Sequence, residues 1–140
     1  MALTKVQPEI VSGGPAFSAY ATQNSQSISN GSETTVIYQN ENFDTASCYN
    51  TGNGTFIPNV AGYYQLSGAI CFNSATSTYE SLISMYKNGV EWKRGSDNNN
   101  IANIISLSMS CLMYLNGSSD YAELYVYYNT TGNALTNSTA

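Results

Sequence analysis

Between Ile105 and Leu115 every second residue is apolar or sulfur-bearing. Ile105, Leu107, Met109, Cys111, Met113 and Leu115 alternate with Ser106, Ser108, Ser110, Leu112 and Tyr114. A period of two sends alternate side chains to opposite faces of a β-strand. The pattern therefore predicts a strand over 101–117 with one buried face. The same period recurs over 62–73, where Tyr64, Leu66, Gly68, Ile70 and Phe72 alternate with Tyr63, Gln65, Ser67, Ala69 and Cys71. It recurs again over 120–129, where Ala122, Leu124 and Val126 alternate with Tyr121, Glu123, Tyr125 and Tyr127. Shorter strands are predicted near 16–20, 35–38, 54–58, 79–87 and 90–94, and no window carries a helical period.

Asn30-Gly31, Asn53-Gly54, Asn88-Gly89 and Asn116-Gly117 punctuate these segments. Asn-Gly suits the tight turns of β-hairpins because both residues tolerate positive φ. Many short strands between such turns predict an all-β sandwich or jelly roll. No internal repeat is visible. Residues 1–15 stand apart: Leu3, Val6, Ile10 and Val11 are scattered, Pro8 and Pro15 interrupt, and Gly13-Gly14 makes a hinge. They are predicted to form an extended N-terminal arm ahead of one domain over 16–140. The four apolar side chains of the arm are candidate anchors to a larger assembly.

Composition narrows the partners. The chain has 140 residues, one domain's worth. Only 9% of residues are charged, against about a quarter in ordinary proteins. The formal charge is −5 with four Lys and Arg together, which argues against nucleic acid, where affinity comes from neutralising phosphates. It argues equally against anionic membrane surfaces. No apolar run is long enough for membrane insertion, and MALTKVQPEI lacks the apolar core of a signal peptide. The three cysteines, Cys48, Cys71 and Cys111, leave at least one free thiol. Cys71 and Cys111 lie within apolar runs and are expected to be buried and unpaired. A cytoplasmic assembly history is the simplest account of such thiols.

The chain has no histidine, which removes Ser-His-Asp and Cys-His catalysis and His-based metal sites. No phosphate-cradling glycine loop is present. The carboxylates are scattered along the chain. Asp97-Asn98-Asn99-Asn100 offers oxygens but reads as a solvated turn, not a calcium site. Trp92-Lys93-Arg94 is the one basic cluster and reads as an edge-strand gatekeeper. No catalytic, cofactor-binding or metal residue is predicted, and the chain is not expected to be an enzyme.

Several segments fit one pattern. They are Pro15-Ala16-Phe17-Ser18-Ala19-Tyr20, then Val36-Ile37-Tyr38 with Phe43 and Asp44, then Gly54-Thr55-Phe56-Ile57-Pro58 with Gly62-Tyr63-Tyr64 and Leu66-Ser67. Lys87-Asn88-Gly89 and Leu115-Asn116-Gly117 with Asp120 complete it. Together they resemble the globular head of complement C1q and the wider tumour-necrosis-factor-like jelly-roll superfamily. The most specific stretch is GTFIPNVAGYYQLSG. The resemblance implies a two-sheet antiparallel jelly-roll sandwich that assembles as a tight homotrimer. Two departures stand out. The family's closing S-x-F-S-G-F strand is not visible in Leu135-Thr136-Asn137-Ser138-Thr139-Ala140, and no collagen-like repeat precedes the domain.

The expected function is that of a trimeric capsid decoration (cement) protein on a bacteriophage virion surface, assembled in the host cytoplasm. Its partners would be its own copies and capsid or tail proteins. The alternatives are a fibre tip that binds a host-surface glycan or protein, and an extracellular C1q-like recognition module. The expected trimer face is the row Tyr121, Glu123, Tyr125 and Tyr127, joined by Tyr63, with Glu123 at a wet end of the interface or holding a cation or proton.

Overall fold

In the computed structural model, which describes residues 13–22, 26–78, 80–98, 101–129 and 134–136, all three alternating segments form strands. In chain order the strands are β1 (Phe17–Tyr20), β2 (Ser27–Ile28), β3 (Thr34–Thr35), β4 (Asn40–Asp44), β5 (Tyr49–Asn50) and β6 (Thr55–Phe56). They continue with β7 (Gly62–Thr78), β8 (Glu80–Lys87), β9 (Val90–Asn98), β10 (Ile101–Leu115), β11 (Ala122–Asn129) and β12 (Ala134–Thr136). All pairings between them are antiparallel.

One sheet runs β5-β6-β11-β8-β9, with β3 also on β11; a second runs β10-β7-β12-β2; β1 and β4 form a separate ribbon. The core lies between the two sheets. From Ile105 to Leu115 the odd positions are buried and the even ones exposed, as the period-two pattern requires. Leu66, Ile70 and Phe72 of β7 and Leu124 and Val126 of β11 meet them in the same cluster. Burying a side chain such as Leu107 contributes about 1.5–3 kcal/mol. The predicted two-sheet jelly roll is the architecture found.

Of the four Asn-Gly pairs, Asn88-Gly89 is the tight hairpin turn. Lys87 pairs with Val90, so Asn88-Gly89 is a two-residue hairpin loop. Its φ values are 53° and 76°, the double-positive geometry that matches strand twist. Gly31, Gly54 and Gly117 also have positive φ.

The short strands depart from the sequence reading. Over 35–38 only Thr35 is strand, as the end of Thr34–Thr35; Val36 still bonds the Leu124 carbonyl, and side chains satisfy the backbone N–H groups beyond it. The Gln26 carboxamide accepts from the Ile37 N–H, and the Tyr49 hydroxyl accepts from that of Tyr38. Over 54–58 the strand stops at Phe56, ahead of Pro58, whose ring nitrogen cannot donate. A short strand that the sequence pattern did not display, β12, pairs with Asn73 and Phe72 of β7 on one side and with β2 on the other. Cys71 is also a correction. It lies on the outward side of β7 and is only half-buried, 3.6 Å from the Ser106 hydroxyl. Its neighbours in sequence are apolar, but its parity is that of Gln65 and Ser67, so alternation carries it outward. Cys48 and Cys111 are buried, and all three thiols are free.

Candidate interaction surfaces

The outer face of the β7–β10 pair is built by even positions of β10 and odd positions of β7. Tyr114 stands opposite Tyr63 and Leu112 opposite Gln65. Tyr63 is 74% exposed, Leu112 58% and Tyr114 45%. The two tyrosine rings meet edge-on with centroids 5.3 Å apart. Trp92 of β9, also exposed, extends the patch and donates its indole N–H to the Leu112 carbonyl at 3.4 Å. Lys87 sits 5.9 Å from the Trp92 ring centre and 6.0 Å from that of Tyr114. Its ammonium donates to the Tyr114 carbonyl and pairs with Asp120 at 3.0 Å. The result is an aromatic and aliphatic surface with one anchored cation at its rim.

The predicted tyrosine row on β11 is a different kind of surface. Tyr121, Glu123, Tyr125 and Tyr127 are each half-buried. Tyr125 lies on Tyr86 of β8 with ring centroids 4.1 Å apart. Ser84, opposite Tyr125, donates to Glu91, which is forked by Arg94 at 2.9 and 3.2 Å. Burial lifts the Tyr86 hydroxyl pKa well above the ordinary range, and a hydrogen bond with Glu33 adds to the shift. Burial likewise raises Glu123. These rings cover their own sheet and do not stand open as expected. Tyr63 does not join them, because it belongs to the other sheet and points away from the core on the opposite side of the sandwich. The signal for the Tyr63 patch was present in the sequence: Leu112 and Tyr114 occupy the polar face of the β10 alternation.

The arm residues Leu3, Val6, Ile10 and Val11 lie outside the described residues, as do Asn99 and Asn100 of the polar loop. Asp97 of that loop pairs with Arg94 at 3.7 Å. Among the described residues no group of three potential metal ligands converges. None of them forms a helix long and apolar enough to cross a membrane. Trp92, Lys93 and Arg94 lie exposed on β9, at the edge of its sheet.

A cavity of about 460 Å³ opens between β1 and β7. Phe17 and Ala19 form one wall and Gln65, Ser67 and Ala69 the other. Tyr38 crosses it, donating its hydroxyl to the Ala69 carbonyl at 2.6 Å. Burial pushes the pKa of that hydroxyl up to about 12.

The architecture is the C1q and tumour-necrosis-factor jelly roll. The globular domain of zebrafish complement 1qA protein superposes with a TM-score of 0.56 at 15% identity, covering 89% of this chain and 95% of that one. Murine APRIL superposes with a TM-score of 0.53 at 12% identity, covering 86% of this chain and 97% of that one. No protein-family model matches the sequence, and no curated protein matches it either. At such identities the likeness defines the fold.

Proposed function

We propose that this chain is a non-enzymatic structural module that assembles as a homotrimer and decorates the surface of a bacteriophage capsid. The observation that carries the self-association is the Tyr63, Leu112 and Tyr114 face, with Trp92 beside it. Exposed aromatic and aliphatic patches with a polar rim mark protein interfaces. Tyrosine suits a symmetric contact because it buries a large ring and keeps a hydroxyl for its neighbours. The 9% charge content supports a protein whose contacts are mostly neutral. The three free thiols are in keeping with assembly in a reducing compartment. The lack of histidine leaves the chain without the usual general base.

The oligomer is tested by sedimentation equilibrium on the purified full chain. A single species of three times the 15.1 kDa chain mass is expected, and a monomer at all concentrations overturns the reading. The capsid role is tested by mixing the oligomer with undecorated capsids of the parent particle. Stoichiometric density on the capsid surface by electron microscopy is expected. Density only on tail or head fibres overturns decoration and leaves the fibre-tip alternative.

A further inference from the structure

Four turns of this chain carry the pair Asn-Gly, at 30–31, 53–54, 88–89 and 116–117. The glycine of each has a positive φ, between 71° and 78°, a conformation that other residues adopt only at a cost. The fold therefore needs glycine there, and glycine leaves the preceding asparagine chemically vulnerable. With no side chain in the way, the glycine amide nitrogen can attack the asparagine Cγ. An N–Cγ bond forms, the Cγ–Nδ2 bond breaks, and the glycine amide proton passes through solvent to the departing ammonia. Water then opens the succinimide ring to aspartate or isoaspartate. The attack requires a free glycine nitrogen and an asparagine amide that can turn to meet it.

The fold withholds one or the other at every pair. Gly31 donates its N–H to the Tyr128 carbonyl and Gly54 donates its own to the Asn50 carbonyl, each at 2.8 Å. Gly54 is also buried, and a Cβ there would stand 2.7 Å from the Val36 carbonyl oxygen, so this backbone has no room to swing. At the other two pairs the asparagine side chain is held. The Asn116 Oδ1 accepts from the Ser118 N–H and hydroxyl and from the N–H groups of Ser119 and Asp120, at 2.9 to 3.2 Å. Its Nδ2 donates to the Ser119 hydroxyl at 2.9 Å. Asn88 is fixed at three points. Its backbone N–H donates to the Tyr121 carbonyl at 3.1 Å, its Oδ1 accepts from the Tyr121 N–H at 2.9 Å, and its Nδ2 donates to the Asp120 carboxylate at 2.8 Å.

We infer that the native structure closes all four Asn-Gly pairs to deamidation, and that Asn88 is a latent modification site kept shut by the Asp120 carboxylate. Of the three bonds that fix Asn88, only the one to Asp120 is made to a side chain. That bond and the one at Oδ1 together fix the plane of the amide. Without the carboxylate, Oδ1 alone is a pivot, and the amide can rotate toward the Gly89 nitrogen. The other pairs do not depend on this carboxylate in the same way. Asp120 also bonds the Asn116 backbone N–H, but the Asn116 amide is held by Ser118, Ser119 and the Asp120 N–H, which any residue at 120 other than proline retains. Gly31 and Gly54 are tied to carbonyls elsewhere in the fold. Loss of the carboxylate should therefore open one pair and leave three shut. This protection is independent of the capsid role.

Peptide mapping by mass spectrometry tests it on the full-length protein, incubated at mildly alkaline pH with and without unfolding urea. In urea all four pairs should deamidate at similar rates, because the local sequence is the same. In the folded chain each should react at least ~100-fold more slowly, since reaction waits on local opening. Any one pair that reacts in the folded chain at its rate in urea overturns the protection. Asp120→Ala tests the latch. Deamidation at Asn88 should rise about tenfold, the effect of losing one hydrogen bond to a charged group, while Asn30, Asn53 and Asn116 keep their wild-type rates. An unchanged rate at Asn88 in a folded D120A overturns the role of Asp120. So does an equal rise at all four pairs, which global loosening would produce. The comparison of folded and unfolded wild type needs no variant and stands even where D120A fails to fold.

Discussion

Asp120 shows how much one side chain organises here. Its carboxylate accepts from the Asn88 side chain at 2.8 Å and from the Asn116 N–H at 3.1 Å, and pairs with Lys87 at 3.0 Å. Asn88 in turn exchanges bonds with the backbone of Tyr121. Two Asn-Gly turns distant in sequence are thus tied together by one acid. The hydrogen bond from Asn88, followed by that from Lys87, holds the Asp120 pKa below its ordinary value. A carboxylate depressed in the folded state stabilises above its unfolded pKa, and that contribution fades as pH falls through the folded value. Urea midpoints should therefore drop as pH falls below about 4, the unfolded carboxylate value. Asp120→Asn should flatten that part of the profile, and an unchanged profile would remove Asp120 as its source. The cysteines allow a second check at this scale. Cys71 is half-exposed while Cys48 and Cys111 are buried, with burial raising the Cys111 pKa. Native protein should label first at Cys71, read by peptide mass, and faster labelling of Cys111 would contradict its placement.

At the scale of elements, β10 makes the sharpest prediction. Leu107 is 1% exposed in the middle of the sandwich, and its neighbour Ser108 points outward. Leu107→Ala should cost about 2–5 kcal/mol, the usual loss for a buried leucine. Ser108→Ala should change stability by less than about 0.5 kcal/mol, as surface changes do. Equal effects from chemical denaturation would mean the face assignment is wrong. The same period made β7, β10 and β11 legible in the sequence, because each has a buried and an exposed face along most of its length. β4 was not legible from pattern, because Asn40, Glu41 and Asn42 offer no apolar alternation and the strand is held by pairing with β1. β2, β5 and β12 are two or three residues long, too short to show any period. β8 misleads in another way: Ser81 to Tyr86 are buried on both faces, since β11 and β9 flank it and side chains such as Tyr125, Glu91 and Arg94 fold over its outer side. That covering also explains why the tyrosine row on β11 is less exposed than its alternation suggests. Alternation tells which residues leave the core, but not what then lies on top of them.

For the whole molecule the question is which outer face meets another copy. The row on β11 was the expectation from sequence, and the β7–β10 face is the one left open. Tyr125 already spends one ring face on Tyr86, so a partner would gain little area from it. Leu112 at 58% exposed has no such cover and sits beside Tyr63, Tyr114 and Trp92. A charge placed at the centre of a packed interface is desolvated without a partner and costs several kcal/mol. On an exposed surface it costs less than about 0.5 kcal/mol. Leu112→Asp should therefore yield folded monomers, with the circular dichroism spectrum of the wild type and one third of its mass in solution. Tyr125→Asp should lower thermal stability through lost packing on Tyr86 and leave the oligomer intact. The reverse outcome, a monomeric Y125D and an oligomeric L112D, would return the interface to the β11 row. Lys87, the cation at the rim of this face, has its ammonium already held by Asp120 and the Tyr114 carbonyl. Rescue of L112D by that lysine would have to break the Asp120 pair, so assembly restored at low pH, where the introduced aspartate is neutral, is the signature of a contact at this face.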